Sequence, residues 1–185
     1  MLLSSRRVIM VIAEGYHEHE YWFPYYRFRE EGAEVVTAGR LVGTVSGEGK
    51  HGKDGLPAKI THQVEQLAGM EFDALYLPGG VFSPLALRAH EPTLALVRQA
   101  MEGGAIVGAI CHAQWILVSA GVVGGRRLTC PPDMSDDVRN AGGIYVTERC
   151  VRDRNLITAV YYAYLPEHFQ MLIPALMELP AGRGI

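Results

Sequence analysis

Ala105-Ile106-Val107-Gly108-Ala109-Ile110-Cys111-His112-Ala113-Gln114 begins as an uninterrupted apolar run and changes character at a cysteine. A continuous apolar run of strand length suits a strand covered on both faces. His112 to Ala120 then reads as a helix closed by Gly121. Cys111 therefore stands where a buried strand turns sharply into a helix. Ala109 and Ala113, two positions before and two after the cysteine, are small. A nucleophile elbow requires this, because its tight turn brings those positions together. The turn also puts the thiol at a helix start, where the positive end of the dipole favours the thiolate.

The same reading extends outward. Val8 to Ala13 (VIMVIA) is a second apolar strand, followed by a helix from Glu18 to Glu31. In that helix Tyr21, Trp22, Tyr25 and Phe28 fall at helical spacing, and Pro24 bends it or marks a restart. Gly32 stops it, and Glu34 to Ala38 reads as a strand. Leu41 to Gly55 is an irregular excursion, read as a small hairpin, and His62 to Ala68 is read as a short helix. Asp73 to Leu77 is a strand ending in Pro78-Gly79-Gly80, and Pro92 to Glu102 is a helix with Pro in its first turn. Beyond Gly121 come a strand near Leu128, a helix from Asp133 to Asn140, strands at Ile144 to Val146 and Leu156 to Ala159, and a helix from Glu167 to Met177. Alternating strands and helices imply a mostly parallel sheet covered on both faces, with ligands gathering at the carboxyl ends of its strands. No composition shift divides residues 1–185, which read as a single domain.

Composition narrows the function class. The 17 basic and 20 acidic residues leave a net charge of -3, which argues against a nucleic-acid partner held by phosphate contacts. No apolar run approaches the ~20 residues of a membrane span, so no membrane partner is expected. The start of the chain lacks the features of a signal peptide, and the expected location is cytoplasmic. The three cysteines, Cys111, Cys130 and Cys150, form neither a secreted disulfide framework nor a zinc ribbon.

Three strand ends carry candidate chemistry. Cys111 is the candidate nucleophile. The backbone N–H groups of Gly79, Gly80 and His112 are candidate oxyanion donors. The run Glu14-Gly15-Tyr16-His17-Glu18-His19-Glu20 packs titratable groups beside the first strand. A Glu20 buried against a thiolate would have its pKa raised, hold a proton and pass it to a carbonyl substrate. His112 and His17 are the candidate bases; Glu14, Tyr16, Cys130 and Trp115 are candidate pocket residues. A zinc ion on His17, Cys111 and Glu14 is chemically allowed, but the adopted reading has no metal and no cofactor. The stripe of Tyr21, Trp22, Tyr25 and Tyr26 is assigned to core or subunit interface, Cys150 to a strand or turn without a role, and Lys50, His51, Lys53 and Asp54 to a solvated loop.

At this point the chain resembles the PfpI/ThiJ superfamily. The resemblance rests on Val11-Ile12-Ala13-Glu14-Gly15 with Glu20 and Pro24, then Gly32, Lys50-His51-Gly52, Phe72-Asp73-Ala74-Leu75, Leu77-Pro78-Gly79-Gly80, Ala109-Ile110-Cys111-His112, and Asp136-Asp137 with Asn140-Ala141-Gly142. It runs from about Val8 to about Ala159 and is nearest to the PfpI intracellular protease branch, in which His follows the nucleophilic Cys. It implies a flavodoxin-like α/β three-layer sandwich, a Glu20 that hydrogen-bonds the cysteine sulfur, a small-molecule substrate, a stress-protection role and a homo-dimer or homo-hexamer.

Three departures stand out. Val81 to Leu87 carries no acid, where relatives in the protease branch carry the Glu that completes a neighbouring subunit's triad. Pro131 occupies the position often held by His or Tyr, with Cys130 beside it, and His17 replaces an acid. A histidine without its orienting carboxylate is a weaker base, so peptidase activity becomes the alternative reading. The leading reading is a cysteine-dependent enzyme acting on a small reactive carbonyl or amide compound, by glyoxalase, deglycase or hydrolase chemistry. A third reading is a non-enzymatic redox sensor or chaperone using an oxidisable Cys111.

Overall fold

In the computed structural model, the described residues are 1–49 and 55–180. Lys50, His51, Gly52, Lys53 and Asp54 lie outside them.

The apolar runs become the centre of a seven-stranded sheet. In chain order its strands are β1 (Arg7–Val11), β2 (Glu34–Gly39), β5 (His62–Gln63), β6 (Ala74–Leu77), β7 (Ile106–Ile110), β10 (Cys150–Asp153) and β11 (Leu156–Ala159). Across the sheet the order is β10-β11-β7-β6-β1-β2-β5, parallel except for the β10–β11 hairpin. The remaining strands form two small pairs: β3 (Gly43–Ser46) with β4 (Pro57–Ile60), and β8 (Arg127–Leu128) with β9 (Ile144–Tyr145).

Helix α1 (Glu18–Glu30) and helix α6 (Leu165–Met177) cover one face. The other carries α3 (Glu91–Gly103), α4 (Gln114–Ala120) and α5 (Ser135–Asn140), with α2 (Phe82–Leu87) between β6 and α3. Strand residues alternate between the two cores. Ile9, Val11, Leu75, Leu77, Val107 and Ala109 face the α3–α4 side, while Val8, Met10, Tyr76, Ile106 and Ile110 face α1 and α6. Burial on both faces is why these runs read as continuous rather than alternating. Strand order reverses at β1 and β6, and the crevice outside their carboxyl ends is where such sheets place ligands.

Several local expectations change. The segment expected as a helix from His62 to Ala68 is β5 followed by a 3-10 turn, Val64–Leu67, because Gln63 and Gln66 close a capping box that fixes a tight turn. Helix α1 continues across Pro24 without a restart. Leu41 to Gly55 does contribute one arm of a hairpin, β3, whose partner is β4. Of the aromatic stripe, Tyr21 is core and Tyr26 is exposed.

A buried ion pair fastens the start of β1. Arg6 lies 2.9 Å from Asp73 Oδ1, whose other oxygen accepts the Arg7 N–H at 2.8 Å. The same guanidinium donates to the carbonyls of Leu179 and Pro180, tying the end of the described chain to the sheet. Removing one partner strands a buried charge. Asp73→Ala is therefore expected to lower stability by about 3–5 kcal/mol, read from chemical denaturation of both proteins.

Candidate active site

The turn after β7 fixes the sulfur. Cys111 has φ +59°, a left-handed conformation that among described non-glycine residues only Arg154 shares. A single 3-10 turn, Cys111–Ala113, leads into α4. Strain of this kind persists where surrounding packing over-determines it, and here it presents the thiol at the strand end. The second strand end approaches closely. A Cβ on Gly79 would lie 2.5 Å from Glu20 Oε2 and 2.6 Å from the Cys111 Cβ, so only glycine fits between acid and thiol. Gly80, at φ +87°, completes that turn.

Glu20 reaches the sulfur from α1. It is fully buried, and its Oε2 accepts the Gly79 N–H at 3.0 Å. Burial pushes its pKa up to about 8, against the N–H groups of Gly79 and Tyr162 and the thiol, which favour the charged form. At pH 7 the group is therefore mostly a neutral acid. Burial and then the Glu20 charge push the Cys111 thiol up to about 12, against hydrogen bonds from the His112 and Gly80 N–H groups. A protonated Glu20 removes its own charge from that balance and leaves burial opposed by the two N–H donors. The thiol is still not the strongly acidic one that its helix-start position predicts. Its proton needs an acceptor.

His112 is placed to be that acceptor. Its Nδ1 lies 3.3 Å from Cys111 Sγ, and its Nε2 lies 3.2 Å from Asp133 Oδ2. The 3-10 turn Pro132–Met134 carries Asp133 there, just past Pro131. The stretch after Gly80 does lack an acid, but the inference that His112 has no orienting carboxylate is overturned, because this chain supplies one itself. In the sequence Asp133 reads only as a helix start. Its signal was its place two residues beyond Pro131.

Other candidates separate. Trp115 packs against His112, with ring centroids 4.8 Å apart, and donates to Asp137 Oδ2 at 2.9 Å. His17 occupies the N-cap position of α1 without a side-chain capping bond, its ring stacked on Tyr162, 4.9 Å between centroids. Burial lowers its pKa, with His19 adding to the effect. Gly79 spends its N–H on Glu20, so Gly80 and His112 are the donors that face the sulfur. Glu14 turns away from the thiol. It accepts the Ser46 N–H at 3.0 Å and lines a separate cavity of about 490 Å³ with Arg40, Val45 and His90. Tyr16 is fully buried in the core and donates its hydroxyl to the Leu56 carbonyl. Cys130 is also core, its thiol pushed up to about 12 by burial and next by Asp133. Cys150 is buried, 3.6 Å from the Tyr164 carbonyl oxygen. Among the described residues no three His, Cys, Asp or Glu side chains come together as a metal cluster, and Glu14 does not join the zinc set with His17 and Cys111.

Two neighbours were missed. The half-buried Glu48 carboxyl lies over Gly80, 3.1 Å from where a Cβ there would stand, and its pKa is raised by burial and by Glu18. Tyr162 stacks on His17 and gives its N–H to Glu20. Neither lies in a motif, and both reach the site only through the fold.

The strain at Cys111 is measurable. A left-handed L-residue costs about 1–2 kcal/mol, which glycine avoids. Cys111→Gly is expected to be about 1 kcal/mol more stable than Cys111→Ala in denaturant unfolding, since both lack the thiol and differ at the strained backbone.

The DJ-1/PfpI family profile matches residues 6–174. "Deglycase TK1284" of Thermococcus kodakarensis is 34% identical over 170 residues, covering 90% of this chain and 99% of that protein. "Deglycase PfpI" of Pyrococcus furiosus is 32% identical over the same shares. "Protein/nucleic acid deglycase 2" of Escherichia coli is 34% identical, covering 84% of this chain and 88% of its own. The crystal structure of Drosophila melanogaster DJ-1beta superposes with a TM-score of 0.85 at 28% identity, covering 95% of this chain and 92% of that one. A family profile over most of the chain, relatives above 30% identity over nearly its whole length and a shared parallel-sheet fold agree, and the chain belongs to the DJ-1/PfpI family.

Proposed function

We propose that the protein is a cysteine-dependent enzyme of the deglycase type, acting on a small reactive carbonyl compound or on the adduct such a compound forms with an amine or thiol. The observation that carries this is the placement of a fully buried, mostly protonated Glu20 beside a thiol that has its own base, His112. An acid and a base on either side of one nucleophile suit addition to a carbonyl. His112 takes the thiol proton, and Asp133 orients the ring and balances the charge it gains. The sulfur bonds to the carbonyl carbon, and the C=O π pair moves to oxygen, which takes the Glu20 proton. The N–H groups of Gly80 and His112 stand ready for the charge that develops. Glu20, now a carboxylate, can remove a proton from the adjacent carbon or from the adduct's hydroxyl. The names of the deglycase relatives support this substrate class.

Asp133 favours a second reading, amide or peptide hydrolysis, because Cys111, His112 and Asp133 form a hydrogen-bonded series within one chain. Both readings carry a cytoplasmic location with reduced cysteines and a homo-oligomeric assembly.

Methylglyoxal, amines and thiols modified by it, amides and unfolded protein are the substrates to assay, with Cys111→Ser beside the wild type. Loss of carbonyl turnover in Cys111→Ser supports the proposal, and equal rates would sink the cysteine mechanism. Glu20→Gln is expected to lower kcat about 10²–10⁴-fold, the range for a general acid–base. Wild-type turnover should fall as pH rises through about 8, where Glu20 loses the proton it donates. A falling limb that survives in Glu20→Gln would show that another group sets it. Asp133 is 69% exposed, so Asp133→Asn should cost about tenfold, well short of the ~10⁴-fold of a buried orienting Asp.

A further inference from the structure

Glu48 stands two residues past β3, and backbone contacts fix it there. Its N–H donates to the Tyr16 carbonyl at 2.7 Å, and the Gly47 N–H donates to the Leu56 carbonyl at 2.9 Å. Gly47 also pairs with Tyr16 as an isolated parallel bridge. The Glu18 carboxyl, in the first turn of α1, holds the segment from the other side. Its Oε1 accepts the Gly49 N–H at 2.8 Å. It also presses on Gly47 so closely that a Cβ there would lie 2.6 Å from the carboxyl carbon. One carboxyl group thus fixes the residues before and after Glu48.

The side chain so placed rests on the catalytic turn. Glu48 Oε2 lies 3.1 Å from where a Cβ on Gly80 would stand, so only a glycine leaves room for it. Gly80 is also the residue whose N–H reaches the Cys111 sulfur. A carboxyl group therefore sits against an oxyanion donor. Neither of its oxygens has a hydrogen-bond or ion-pair partner among the described residues. A half-buried carboxylate without a partner is costly, and one beside an oxyanion donor opposes the negative charge that the donor serves. Its pKa, raised by burial and then by Glu18, reflects the first cost. A positive charge brought to the mouth of the site removes both.

We propose that Glu48 is a specificity-determining residue that pairs with a positive charge on the substrate, and that Glu18 is its positioning residue. This rests on the carbonyl-adduct reading of the site. In the adduct of a carbonyl compound with an amine, the nitrogen is bonded to the carbon that came from the carbonyl. When that carbon reaches the sulfur, a protonated amine comes with it to the mouth of the site. A thiol adduct brings no such charge. Glu48 therefore selects adducts of basic amines over adducts of thiols.

The test compares how fast Cys111 is modified by methanethiosulfonates bearing a trimethylammonium, a methyl or a sulfonate group. Mass spectrometry of the full-length protein reads the Cys111 peptide. The ratio of the cationic to the anionic rate cancels changes in thiol acidity, which affect every reagent alike. Glu48→Gln is expected to lower that ratio about tenfold, the lower end of electrostatic steering, and Glu48→Lys to lower it further. Glu18→Ala should lower it too, and Glu18→Gln should restore it, since the amide oxygen still accepts the Gly49 N–H. An unchanged ratio in folded Glu48→Gln would overturn the assignment, and a Glu18→Gln protein that behaves as Glu18→Ala would overturn the positioning role. In turnover, Glu48→Gln should lower kcat/KM for the methylglyoxal adduct of Nα-acetyllysine about tenfold more than for that of N-acetylcysteine. Equal losses on the two adducts would overturn the selection of amines. The thiosulfonate rates need no turnover, so a fully active Cys111→Ser would sink the carbonyl mechanism and leave the rate ratio to judge Glu48 by itself.

Discussion

Glu20 is a carboxyl group buried with no counter-charge among the described residues, and the rest of the site is arranged around the proton it therefore keeps. Desolvation raises its pKa to about 8, and among its titratable neighbours is the nucleophile itself, which hydrogen-bonds to it. Two acids in so small a space do not both ionise freely; the proton on one governs the other. Gly79 has to be glycine for the two to approach, and Cys111 has to be left-handed for its sulfur to turn toward the acid. The strained turn, the Gly-Gly strand end and the helix start of α1 are three parts of one constraint.

That constraint explains why the site sits where it does. At the carboxyl ends of β1, β6 and β7 a helix start, a glycine turn and a strand-to-helix elbow meet, where doubly wound sheets gather their ligands. The buried two-sided sheet supplies the rigidity that holds Cys111 in an unfavourable conformation. The exposed partner, Asp133, is attached less firmly. It reaches His112 from a 3-10 turn on the far side of the thiol, so the base is oriented from the solvent side and the acid from the core side.

The sequence spoke clearly where local pattern and tertiary role coincide. VIMVIA and AIVGAI are long apolar runs because both faces of their strands are covered, and they located β1 and β7. Cys111 between alanines, with Gly79-Gly80 at another strand end, marked the elbow and its neighbour. Phe82–Leu87 is too short for a helical pattern to show, and β10 is half of a hairpin whose alternation spans four residues. Within the dense run from Glu14 to Glu20, side-chain direction decided the outcome. Glu14 turns to a different cavity, Tyr16 enters the core and Glu20 faces the thiol. Glu48 and Tyr162 meet the site only through chain folding, and no spacing rule points to them.

The central claim is that the thiol held between Glu20 and His112 is the group that bonds to a carbonyl carbon. Mass spectrometry of the native protein, quenched during turnover of methylglyoxal, tests it most directly. The account predicts a transient adduct on the peptide that carries Cys111, with Cys130 and Cys150 unmodified, decaying as substrate is consumed. Turnover that proceeds with Cys111 unmodified, or adducts spread evenly over the three cysteines, would contradict it.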